Sequence, residues 1–75
     1  MENMILVLQK KDNSAFIEGL GGSWTRRSEA AYVFPNALDA LSFCFQRHLR
    51  SMKILAIFSD PALNFTVPVT DVHGD

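Results

Sequence analysis

Short apolar runs alternate along the chain with polar punctuation, and their spacing predicts the elements. Met4-Ile5-Leu6-Val7-Leu8 is a continuous apolar run of strand length, closed by the turn-forming stretch Lys10-Lys11-Asp12-Asn13-Ser14. Ala15 to Leu20 resumes with Phe16 and Ile17, and its return after so short a linker predicts a β-hairpin. Gly19, Gly21 and Gly22 then break the pattern. Ser23 to Glu29 reads as a polar loop or ragged strand, and Ala31-Tyr32-Val33-Phe34 as a further short strand stopped by Pro35.

Asn36 is a good N-cap, with Asp39 at the N3 position of a capping-box-like arrangement, so a helix is expected from about Ala37 to about Leu49. At roughly 100° per residue, Ala37, Leu38, Leu41, Cys44, Phe45, His48, Leu49 and Met52 share one arc, and Asp39, Gln46, Arg47 and Arg50 lie opposite. The first arc is the expected buried face, and on that reading Leu41→Ala costs ~2–5 kcal/mol. Arg47 and Arg50 fall where cations meet the negative end of the helix dipole.

Lys53 to Phe58 carries five apolar residues without alternation and reads as a central strand ended by Ser59-Asp60-Pro61. Asn64 to Val69 alternates, and Pro68 confines it to a sheet edge. Thr70 to Asp75 is expected to be a frayed tail. The resulting order is β-β-(β)-α-β-β, a single α+β domain over residues 1–75 in which a small antiparallel sheet packs on one helix. Because Met4 to Leu8 and Ile54 to Phe58 are apolar on both faces, one helix cannot cover them, and a second copy of the chain is the economical cover.

Composition narrows the function. A chain of 75 residues that is 48% apolar and 20% charged, with six Phe, one Trp and one Tyr, has the make-up of a folded domain with a small core. Such a core is commonly reinforced by disulfide, metal or oligomerisation. The single cysteine, Cys44, excludes an intramolecular disulfide and points to a reduced, cytoplasmic thiol, while one Cys and two His are too few for a structural zinc site. Oligomerisation is left. The apolar run near the N-terminus is too short for a signal peptide, and no stretch approaches the ~20 residues of a membrane span. A net charge of −1 supplies no global field for nucleic acid or anionic lipid.

No motif supports catalysis or a cofactor. Cys44 and His48 are four residues apart on one helical face, a spacing compatible with metal or an activated thiolate, but both fall in the apolar arc and are expected to be structural. His73, a conceivable third ligand, lies in the tail. Glu18 is the one acid within a strand and is expected to face solvent. Gly19-Leu20-Gly21-Gly22 lacks the P-loop arrangement and reads as a bend, and GxSxG, HExxH and paired CxxC are absent. Phe43 falls about 140° from Leu38 on the polar side, so a regular helix exposes its ring. The run Gly22, Trp24-Thr25, Ala31, Phe34, Ala37, followed by an apolar helix and strand, resembles a pattern found in short uncharacterised bacterial and phage proteins, covers about half the chain and implies no activity.

Two roles compete. The first is a non-catalytic interaction module that self-associates, as a dimer, through apolar sheet surface and binds a further protein partner, with Phe43, Trp24 and Pro68 as candidate contacts. The alternative is a nucleic-acid-binding or regulatory domain in which Trp24 stacks on a base and Arg26, Arg27, Arg47, Arg50 and Lys53 form one basic face.

Overall fold

The computed structural model describes residues 4–69; His73 and the tail from Thr70 lie outside the described residues. Five strands form one antiparallel sheet in the order β3-β2-β1-β4-β5, with β1 at Met4–Lys10, β2 at Phe16–Ile17, β3 at Trp24–Thr25, β4 at Met52–Phe58 and β5 at Phe65–Pro68. One helix, α1 (Ala37–Gln46), packs on one face. The expected α+β class and element order hold.

The two long apolar runs become the two central strands. β1 and β4 pair along their full length, Met4 opposite Phe58 through Lys10 opposite Met52. The β1–β2 hairpin closes through a loop in which Ser14 adopts φ 61 and the Asn13 side chain accepts from the Ala15 N–H. Only Phe16 and Ile17 remain in β2, because the chain leaves β1 after them. The vacated edge of β1 is taken by Phe34, whose N–H donates to Leu6 O at 2.8 Å. The strand expected at 31–34 is therefore reduced to one bridge, while the ragged segment before it supplies β3 and a 3-10 turn, Ser28–Ala30.

At its start α1 follows the sequence: the Asn36 side chain accepts from the Asp39 N–H at 2.8 Å. Its end does not. The helix stops at Gln46 rather than near Leu49, because His48 turns into the left-handed region at φ 54. The Leu49 N–H then donates to Cys44 O and the His48 N–H to Phe45 O, the paired bonds of a Schellman termination. Met52, placed by periodicity on the helical arc, is instead the first residue of β4 and fully buried.

The buried face of α1 also differs from the one expected. Ala40, Phe43 and Cys44 face the sheet, while Leu38, Leu41, Phe45 and His48 are exposed. The core face is thus turned by roughly 120° from the centre of the predicted arc. Ala40 lets the helix approach the sheet closely, and Phe43 reaches into the space beside Phe34, with ring centroids 5.6 Å apart. Beneath them lie Leu6, Leu8, Ile17, Ile54 and Ala56. On the opposite face Val7 and Phe16 are buried and Leu55 and Ile57 are half-buried, so within β1, β2 and β4 Ile5 is the one large apolar residue exposed there. The uncovered apolar surface lies on the helix side of the sheet.

Candidate self-association surface

Only Asp39, Ser42 and Gln46 among the ten residues of α1 are polar. They occupy a narrow strip, which leaves two adjacent apolar faces: the core face of Ala40, Phe43 and Cys44, and a second one formed by Ala37, Leu38, Leu41 and Phe45. A helix that is apolar over so much of its circumference is ordinarily covered on more than one side. Among the described residues it is covered on one.

The covered flank faces β2. Phe43 packs against Phe34, Tyr32 meets Phe34 edge-on at 4.8 Å between centroids, and the Arg47 guanidinium lies 5.3 Å from the Phe43 ring centroid. Arg47 also donates to Leu20 O in the β2–β3 loop, so it clamps that loop against the helix end. Gly22 in the same loop needs its φ of 96°, which an L side chain rarely adopts.

The open flank faces β5. Between α1 and the outer strands runs a cleft of about 800 Å³, lined chiefly by apolar side chains, among them Leu6, Leu41, Phe45, Ile54, Phe65 and Val67, with His48 and Arg50 at the helix C-terminal end. Alternation in β5 puts Phe65 and Val67 on the helix side and Thr66 on the other, as the sequence predicts, yet nothing within the described residues reaches over them. Cys44 borders the cleft floor and is buried, as expected of a structural thiol.

The free edge of β5 is poorly suited to pairing. The Val69 N–H donates to Met52 O, so by alternation Val67 and Phe65 direct their backbone groups to β4 while Thr66 and Pro68 direct theirs outward. Pro68, a candidate contact, therefore places its missing N–H on the open edge, where it removes a donor from any incoming strand.

The remaining sequence candidates separate. Phe43, expected on the surface, is only 8% exposed and belongs to the core. His48 is exposed rather than part of a buried pair with Cys44, and among the described residues no group of three metal-ligating side chains occurs. Glu18 is exposed, as expected. Trp24 lies at the far edge of the sheet, its ring under the Lys10 ammonium at 4.6 Å, beside a shallow hollow that includes Arg26. Lys10 was not singled out by sequence; it is brought to Trp24 only by the pairing of β1 with β2 and of β2 with β3. Arg27 pairs with Glu29 at 3.0 Å, and the Glu29 carboxyl is held below its ordinary range by a backbone hydrogen bond and then by Arg27. Arg47 is engaged with Phe43 and Leu20, Arg50 sits at the cleft end, and Lys53 lies in the row of Gln9 and Pro68 on the opposite sheet face. The five basic residues do not share a face.

No helix among the described residues is long and apolar enough to cross a membrane. Comparison with family models, with curated proteins and with solved structures finds no match to this chain.

Proposed function

We propose that this chain is a non-catalytic interaction module that self-associates through the apolar surface formed by α1 and β5. The observation that carries the reading is the second apolar face of the helix. Leu38 is 70% exposed, Phe45 64%, Phe65 51%, Met4 and Val67 46% each and Leu41 42%, all on one side of the sheet. Taking about 200 Å² for a fully exposed large side chain, these fractions amount to roughly 600 Å² of apolar surface per chain. Two copies that cover it remove roughly 1,200 Å², which reaches the lower end of stable protein interfaces before any polar rim is added. Left bare, a patch of this size is at or above the largest normally tolerated on a soluble monomer.

The reading departs from the sequence expectation in its location. The sheet face opposite α1 is not the main uncovered surface; the flank of the helix is. The nucleic-acid alternative draws no support from the scattered basic residues, and the Trp24 ring already carries the Lys10 ammonium on one face.

Size-exclusion chromatography with light scattering, run from about 1 to 100 µM, tests the proposal. The expected result is a mass of two chains that falls toward one on dilution. A monodisperse single-chain mass across the whole range contradicts it.

A further inference from the structure

The geometry points to one arrangement of the pair: α1 of each copy lies in the cleft of the other, and the two helices run parallel about a twofold axis directed along them. This rests on the self-association reading above and specifies its geometry. Leu38, Leu41 and Phe45 are spaced i, i+3, i+7 and form a straight apolar ridge on the helix. The cleft runs alongside that ridge, between it and Phe65 and Val67 of β5. A ridge beside a groove of the same chemistry is self-complementary, which is what an isologous twofold contact requires.

The direction of the axis follows from symmetry. On each copy the groove lies to one side of the ridge only, because the other flank is closed by Phe43, Phe34 and Arg47. Turning a second copy over about an axis parallel to α1 exchanges left for right and carries its ridge over the first copy's groove. Turning it about an in-plane axis perpendicular to α1 keeps left and right and sets ridge on ridge, leaving both clefts empty. Pairing edge to edge through β5 also leaves the ridge bare, and Pro68 deprives that edge of a donor. Filling the clefts therefore selects parallel helices, with each ridge residue near its own counterpart.

Thiol cross-linking reads this directly. Leu38 and Phe45 are about 10 Å apart along the helix, so a parallel pair brings each close to its copy and an antiparallel pair brings one close to the other. Single Leu38→Cys and Phe45→Cys variants, checked for folding by circular dichroism, are oxidised mildly beside wild type, whose buried Cys44 sets the background. Leu20→Cys and Val33→Cys, each replacing a residue 47% exposed away from the ridge, are the surface controls. The expected result is that Leu38→Cys and Phe45→Cys each form covalent dimers with themselves on the order of a hundredfold faster than the controls, as a thiol held near millimolar effective concentration should. Covalent dimers that form only when the two variants are mixed overturn the parallel arrangement. A two-chain mass in solution without cross-linking at either position overturns the use of this surface while leaving self-association standing. A single-chain mass for the wild type overturns both.

Discussion

The two flanks of α1 are built from similar residues and meet different fates. Toward β2, Phe43 is enclosed by Phe34 and capped by Arg47, which ties the helix end to Leu20 in the neighbouring loop. Toward β5, Phe45 two positions on is nearly two-thirds exposed over a cleft that Phe65 and Val67 border without closing. Apolar character alone did not decide which flank is interior. What distinguishes them is cover from the described residues: the 32–34 segment and the β2–β3 loop close over one side, whereas none of the described residues closes over β5.

The sharpest way to break this contrast is to truncate one ring on each flank. Phe43→Ala should cost ~3–5 kcal/mol in denaturant unfolding, the usual loss for a buried aromatic. Phe45→Ala, measured at dilution where single chains prevail, should cost less than about 1 kcal/mol, because its ring is not part of the monomer core. Equal losses at the two positions would mean that the flanks do not differ as described. Leu41→Ala belongs with Phe45: its side chain is close to half-exposed, so about 1 kcal/mol or less is expected in the dilute monomer, well under the value the helical arc alone suggests.

Arg47 sharpens the closed side. Arg47→Ala should destabilise by about 1 kcal/mol, since it removes an exposed hydrogen bond to Leu20 O and a cation–π contact with Phe43. Arg47→Lys should recover only part, because an ammonium cannot both lie flat on the ring and present a planar donor to the carbonyl. Full recovery by lysine in thermal unfolding would reduce the residue to a point charge. A smaller effect of opposite sign is expected at the helix end: His48→Gly should stabilise by about 0.5–1 kcal/mol, because His48 holds φ 54 at a position where glycine carries no steric penalty.

Much of the fold was legible in the chain. The two apolar runs are the central strands, Asn36 caps the helix, and Pro68 marks an edge, each through a local rule acting on adjacent residues. The helix end was missed because its termination uses histidine where glycine is the usual signal, and the two bonds that close it are visible only in the backbone. The buried face was missed for a different reason. With seven apolar residues in ten, periodicity finds the widest apolar arc but cannot tell a core face from a docking face, and Leu38, Leu41 and Phe45 drew the arc away from Ala40 and Phe43. Placing Phe43 inside required knowing that Phe34 comes to meet it, a contact between segments that no local pattern encodes.

The central claim is that the open flank of α1 is covered by a second copy, and melting temperature as a function of concentration tests it most directly. Wild type and Phe45→Glu should be heated side by side over a hundredfold range of concentration. A dimer linked to folding predicts that the wild-type midpoint rises with concentration while that of Phe45→Glu stays constant and coincides with dilute wild type. Midpoints for both proteins that do not move with concentration would contradict the account.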